Sequence, residues 1–446
     1  MSRNEITGRY LDEVAARGLG AYELADLALA ADVLGPTSME GKCLSRPVFL
    51  DRAELAELTG DLATVYAALA ALPRRLFGGD LAAFARAVGM AEVQVGAVQR
   101  AARETPTRLA RPDMYHDGTA FRLLEFNMGS TVGSLDSGLL NRLFLRHPVL
   151  AEFVESNNLT FVDPMAKMVD TLLAECGLDG ADGVRFAAVT LPWVFPLLTA
   201  QLASSAGLLG ELGVDVTPCH LGQLSVRDGR VWLGAAPVDV LYRIFQVEDL
   251  LDPAMHELAD PILRAADRGE VTLFTPMDAE LYGSKGALAM LSDEANRHLC
   301  TGAELASLDR VLPWTRMVRP GPVTVGAERV ELLDYAEQAR AELVLKPTLL
   351  HGGQGIVAGW VVDTETWRTA VKSALDGPYV LQHRVRPEPE LFPTEHGLEP
   401  RVVKWAPFHG LEPYAGMNAR GSTDVDAGVV NRERDAITAP CFHEAG

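Results

Sequence analysis

The chain has 446 residues, enough to bury a large core in two or three domains, and its 48% hydrophobic and 22% charged content is that of ordinary soluble globular proteins. A formal net charge of −20 argues against a nucleic-acid partner, yet leaves room for a nucleotide whose phosphates are met locally by a few cations. No run nears the roughly 18 uninterrupted apolar residues of a membrane span, no apolar signal segment opens the chain, and five dispersed cysteines lack CxxC spacing, so a cytoplasmic protein with reduced thiols and no membrane partner is expected.

Residues 1–105 read as a helical region. "YLDEVAARGLGAYELADLALAADVL", "AELAELTGDLATVYAALAAL" and "GDLAAFARAVGM" repeat apolar positions at i, i+3, i+4 and i+7, as in helices capping a sheet. Residues 106–164 begin a new regime, with the strand "FRLLEFN", the turn "MGSTVGSLDSG" and a helix "LLNRLFLRHPVLAEFVES". Over 165–245, "GVRFAAVTLP", "LLTAQLASSAGLLGELG", "VDVTPCHLGQL", the hairpin "LSVRDGRVWLG" and "VDVLYRIF" predict an α/β unit with parallel central strands. Residues 246–446 predict strands at "AELVLKP", "GIVAGWVV" and "PYVLQHRV", a helix at "TETWRTAVKSAL", and an antiparallel pair within "RVVKWAPFHGLEPYAGMNAR". The tail "RDAITAPCFHEAG" is expected to fray.

Lysine is scarce: Lys42, Lys167, Lys285, Lys346, Lys372 and Lys404 stand against many arginines. A chain that otherwise writes Arg keeps Lys where a compact ammonium is needed. In "LVLKPTLLHGGQGIVAG" a strand delivers Lys346 to a turn containing Gly352, Gly353, Gln354 and Gly355, whose backbone N–H groups can approach phosphate oxygens. Neither a Walker loop nor a dinucleotide fingerprint fits, and an ordinary hairpin is an even alternative. Lys285 opens a helix in "LYGSKGALAMLSD" and could stand beside a phosphate there, or simply be solvated. Gln382, ending "YVLQ", could meet an adenine edge, although one Gln after an apolar strand is commonplace.

The sharpest constellation is "RPDMYHDGTAFRLLEFNMGS". On a strand, Glu125 and Asn127 share a face, and Asp113 can complete a set of oxygen donors. Magnesium takes such a set together with nucleotide phosphates, and Arg111 would supply paired donors to a phosphoryl or carboxylate group. Alternatively, Glu125 and Asn127 line the wet side of a strand while Arg111 pairs with Asp113. R-x-D, then E-x-N, then Gly and Ser favours the metal reading.

These residues resemble the R-x-D…E-x-N segment of the glutathionylspermidine synthetase-like, circularly permuted ATP-grasp ligases. "VDVLYRIFQVEDLLDP", "GSKGALAMLSD", "LVLKPTLLHGGQGI", "YVLQHRV" and "EPYAGMNARGS" are similar to family segments in the same order, over roughly residues 105–432. The resemblance implies an α/β fold: a permuted ATP-grasp core with an inserted Rossmann-like unit and an N-terminal helical region. It implies ATP and Mg²⁺, two ions, with Asp113, Glu125 and Asn127 as metal ligands and Arg111 as a clamp. Lys285 and Lys346 become phosphate ligands, Gly352, Gly353, Gln354 and Gly355 the lid, and Gln382 the adenine hinge. Arg420 would meet the transferring phosphoryl group. Ser130, Thr131 and Arg243 would bind substrate. No amidase half is present, so no Cys nucleophile is implied. The family's glutathione-binding positions are not recognisable, so neither glutathione nor spermidine carries over.

The implied reaction is ATP-dependent joining of a small-molecule carboxylate to an amine through an acyl phosphate. Amino acids or short peptides of secondary metabolism are the expected substrates, and the assembly is left open to a homodimer. Two other readings keep the nucleotide site: a phosphotransferase, and a non-catalytic ATP-binding regulator.

Overall fold

The computed structural model describes residues 4–17, 43–100, 102–394, 396–423 and 436–446; residues 18–34 of the first expected helix, and the side chain of Thr131, lie outside that set. The described part of that helix, Glu5–Ala16, buries Ile6, Tyr10 and Val14, and the Asn4 side chain caps it by accepting from the Thr7 N–H. The helix Arg52–Phe77 starts at a capping box formed by Asp51 and Glu54 and stops at Gly78, which is left-handed with φ 60°. By length and composition it could cross a membrane. Here its stripe Leu58, Leu62, Val65, Leu69 and Leu72 lies in the main core.

The N-terminal region is not helical throughout. Val48–Leu50 is a strand that pairs in parallel with Cys441–Glu444, which in turn pairs with Leu159–Thr160. The tail expected to fray is therefore the middle strand of a sheet. Phe442 is fully buried with Phe49, Tyr10 and Phe153, the Tyr10 ring lying 5.4 Å from Phe49 and 5.2 Å from Phe153. This partnership spans almost the whole chain, so no local periodicity could announce it.

Residues 186–274 hold a four-stranded parallel sheet, ordered Thr272–Phe274, Val240–Arg243, Phe186–Thr190, Val216–His220. Its edge strand at 272–274 lies past residue 245, where the sequence pattern ends this unit. The helix Phe195–Glu211 crosses between two of these strands, as the pattern predicts. The hairpin Leu224–Arg227 to Arg230–Leu233 turns through Asp228 and Gly229, both at positive φ.

A second four-stranded sheet, antiparallel throughout, runs Thr315–Met317, Tyr379–His383, Leu343–Pro347, Val357–Ala358. Helices Leu332–Gln338 and Thr364–Ser373 cover it through a core that includes Trp367. The strand expected over "GIVAGWVV" shrinks to two residues.

The largest sheet joins early and late sequence. Its order is Ile437–Ala439, Met417–Ser422, Gly397–Pro407, Ala110–His116, Phe121–Met128, with Glu390–Thr394 also pairing to Gly397–Pro407. Gly397–Pro407 and Met417–Ser422 form the expected antiparallel pair, from Val402 opposite Ser422 to Pro407 opposite Met417.

Phe442→Ala should lower the unfolding free energy by about 3–5 kcal/mol, because a closely packed ring is removed from a buried cluster. Urea unfolding checks this, and a change below about 1 kcal/mol would mean the terminal strand is not part of the cooperative core.

Candidate functional site

Antiparallel pairing of Ala110–His116 with Phe121–Met128 sets Arg111 opposite Asn127 and Asp113 opposite Glu125; the ladder slips between Asp113 and Met114. Residues two apart on a strand share a face, so these four side chains form one patch. The Asn127 amide nitrogen donates to Arg111 O and Glu125 Oε1, both at 3.3 Å. Asp113 is buried between two cations: Lys404 Nζ lies 2.7 Å from its Oδ2 and Arg111 Nε 3.4 Å from its Oδ1.

Two more ammonium groups arrive from distant sequence. Lys285 stands in the first turn of the helix Lys285–Ser292, where a cation opposes the helix dipole. Glu125 Oε2, 3.1 Å from its Nζ, offsets that cost, and Leu350 O accepts from it at 2.9 Å. The approach of this segment requires small residues: a Cβ on Gly129, already at φ 76°, would lie 2.5 Å from Ala279 Cβ. Lys346, on Leu343–Pro347, donates to Gln382 Oε1 at 2.7 Å and to Leu124 O at 3.1 Å.

These contacts set the charge states. Burial pushes the Glu125 carboxyl up, but Lys285, Lys346, Lys404 and His351 outweigh it and hold the group well below the usual carboxylate range. Lys346 is pushed down to about 8, by burial first; Glu125 and Asp113 work against the shift and Lys285 adds to it. The site thus favours the ionised form of Glu125 and holds the Lys346 proton less tightly than a free lysine does.

Other residues singled out in the sequence fall elsewhere. Gln382 is buried, and both ends of its amide are engaged, by Lys346 and by Thr315 Oγ1 at 3.2 Å. Within the protein it positions Lys346. Arg243 is fully buried: Nε donates to Thr275 O at 2.7 Å, Nη2 to Pro276 O at 3.1 Å, Nη1 to Ser130 Oγ at 3.0 Å and to Phe245 O, and Nη2 lies 2.9 Å from Glu280 Oε1. Ser130 also donates to Glu280 Oε1 at 2.6 Å. Arg243 and Ser130 thus belong to a buried network joining the parallel sheet to the turn after the Glu125 strand. Arg420 donates to Ser134 Oγ at 2.7 Å and sits opposite Lys404 in the ladder. The glycine turn holds Gly352, Gly353 and Gly355 at φ 64°, 82° and 69°, a conformation that side chains strongly disfavour, and leaves Gln354 exposed.

Sequence reasoning missed Lys404 and Glu280. The scarcity of lysine was the signal for the first; for the second it was an acid inside a wholly buried run, 273–289. It also missed His351, whose Nε2 lies 3.4 Å from Glu248 Oε1 at the base of the glycine turn.

Two carboxylates and an amide oxygen suit a hard divalent cation that draws its remaining ligands from phosphate and water. Among the described residues no group of three or more His, Cys, Asp or Glu is placed to hold a metal ion by itself.

No family model and no curated protein matches the sequence. Among solved structures, the chain is similar to a glutathione synthetase-like effector from Globodera pallida, over 98% of each chain, with a TM-score of 0.56 and 11% identity. The chain shares that fold. A protein assigned provisionally as a gamma-glutamylcysteine synthetase, from Methylobacillus flagellatus KT, is similar over 85% of this chain and 88% of its own, with a TM-score of 0.43 and 12% identity.

With six lysines in the sequence, Lys346 can be followed directly by the ¹³Cε shift of its ammonium. It should titrate near pH 8, and Glu125→Gln should lower that midpoint because the carboxylate supports the charge. The folded chain binds this proton less tightly than the unfolded one, so the group costs stability below about pH 8, and the cost fades as pH rises toward the ordinary lysine range. A midpoint above about 10 would show that Lys346 is not enclosed as described.

Proposed function

We propose that the protein is an ATP-dependent carboxylate–amine ligase, of the ATP-grasp type, acting on small molecules such as amino acids or short peptides. The observation that carries the reading is the convergence of Asp113, Glu125 and Asn127 with Lys285, and of Lys346 with the same strand, from segments more than 150 residues apart. The fold shared with a protein described as glutathione synthetase-like supports it.

In this reading Lys285 and Lys346 bind the nucleotide phosphates, and the turn with Gly352, Gly353 and Gly355 lies over them as a lid. Asp113, Glu125 and Asn127 would hold Mg²⁺, which when bound neutralises phosphate oxygens. A substrate carboxylate oxygen attacks the γ-phosphorus and the bond to the ADP oxygen breaks, giving an acyl phosphate. The amine nitrogen then attacks the acyl carbon, the carbon–oxygen bond to phosphate breaks, and the nitrogen loses a proton. Arg111 and Arg420 meet the charge that develops on the transferred group. Positioning and fixed charge supply the acceleration, with no covalent bond to the protein. The lid keeps water from the acyl phosphate.

ADP and phosphate release should depend on both an acid and an amine, in a screen that reads product masses directly. Hydroxylamine in place of the amine should yield a hydroxamate; ADP formation without one, with phosphate retained on the acid or an alcohol, would make the protein a phosphotransferase. Glu125→Ala and Asn127→Ala should each reduce metal-dependent nucleotide binding by about tenfold or more and abolish turnover. Tight Mg-ATP binding with no turnover on a broad panel would instead point to a binding protein.

A further inference from the structure

Lys404 has no part in the reaction as proposed so far. Strand alternation on Gly397–Pro407 turns it to the same sheet face as Asp113, and it is buried. A buried ammonium on an inner strand is costly unless paired and hydrogen-bonded. It bonds Asp113 Oδ2 at 2.7 Å, yet Asp113 already has Arg111 3.4 Å from its other oxygen. Among the described residues of this patch, Lys285, Lys346, Lys404 and Arg111 face two carboxylates, Asp113 and Glu125, and Arg420 sits opposite Lys404 in the ladder. The patch has more cations than these carboxylates can neutralise. A divalent cation at Asp113 would place a second positive charge beside the Lys404 ammonium, and the two repel across the same carboxylate.

We infer that Lys404 is a further cation of the reaction centre, which exchanges Asp113 Oδ2 for an oxygen of the transferring phosphoryl group when a divalent cation takes Asp113. The inference rests on the ligase reading of Asp113 as a metal ligand. Lysine suits this exchange better than arginine, because its point-like ammonium can change acceptors without the fixed geometry of a guanidinium fork. Lys404 and a divalent cation compete for the same carboxylate, so one substitution should move two readouts in opposite directions.

The test is Lys404→Met in the full chain, with Mn²⁺ binding followed by electron paramagnetic resonance in the absence of nucleotide, alongside turnover. Mn²⁺ affinity should rise by about tenfold or more as a competing charge is removed, while kcat falls by about a hundredfold. Lys404→Arg should keep the weak Mn²⁺ binding of the natural protein and recover only part of kcat. A purely structural bridge predicts a lower melting temperature with Mn²⁺ affinity unchanged or weakened, and that outcome overturns the inference. Should the Met variant fail to fold, Lys404→Gln carries the same two measurements, with the same rise in affinity and fall in kcat expected. Asp113→Asn separates the two levels. If it leaves Mn²⁺–nucleotide binding unchanged, the metal-site reading fails; if it abolishes that binding while Lys404→Met keeps full kcat, only the role of Lys404 is lost.

Discussion

The constraint on which the rest depends is a pair of carboxylates set directly across a strand ladder. Asp113 and Glu125 occupy opposed positions, where like charges repel. A sheet tolerates this only if cations are brought to both, and here they come from three separate parts of the chain. Lys404 arrives on the adjacent strand, Lys285 on a helix start, and Arg111 from the same strand as Asp113. Three-dimensional organisation around the site is thus largely a means of holding ammonium groups against two acids.

Holding them has its own requirements. The Lys285 segment can come close because Gly129 and Gly283 present no side chain: a Cβ on Gly283 would stand 3.0 Å from both Met128 N and Phe126 O. The Lys285 N–H also donates to Thr348 O at 2.9 Å, tying the helix start to the strand that carries Lys346. Lys346 is fixed in turn by a relay in which Gln382 accepts from it and donates to Thr315. The second sheet therefore serves as a rigid mount for one ammonium, while its hairpin supplies the glycine turn.

Much of this was legible in the sequence, for identifiable reasons. Glu125 and Asn127 could be read because strand alternation is local, and Lys285 and Lys346 because a scarce residue stood beside Gly-rich turns. Gln382 stood out as well, but its partners Lys346 and Thr315 could not be read, because strand register and not spacing along the chain brings them to it. The partner of Arg243 and Ser130 was equally hidden: nothing near either residue reveals Glu280, the acid that engages both. Lys404 and the terminal strand at 441–444 depend on pairings across hundreds of residues, which no periodicity encodes.

The enclosure of Arg243 and Ser130 shows how the turn after the Glu125 strand is held. With Arg243 surrounded by carbonyls and Glu280, the parallel sheet contributes a structural anchor to the turn at 129–131. Cationic groups near the far end of the same turn come instead from Arg111, which donates to Gly133 O at 2.7 Å, and Arg420, which donates to Ser134 Oγ. Both bonds are to uncharged oxygens, and Ser134 itself is held at φ 65°, a backbone state that a non-glycine residue adopts at some cost. Arg111 is also paired with Asp113, its Nε lying 3.4 Å from Oδ1, so its guanidinium joins the carboxylate of the strand to the carbonyl of the turn. The turn is therefore divided by chemistry: its first half is locked into the protein by a buried acid, and its second half is held by two guanidinium groups.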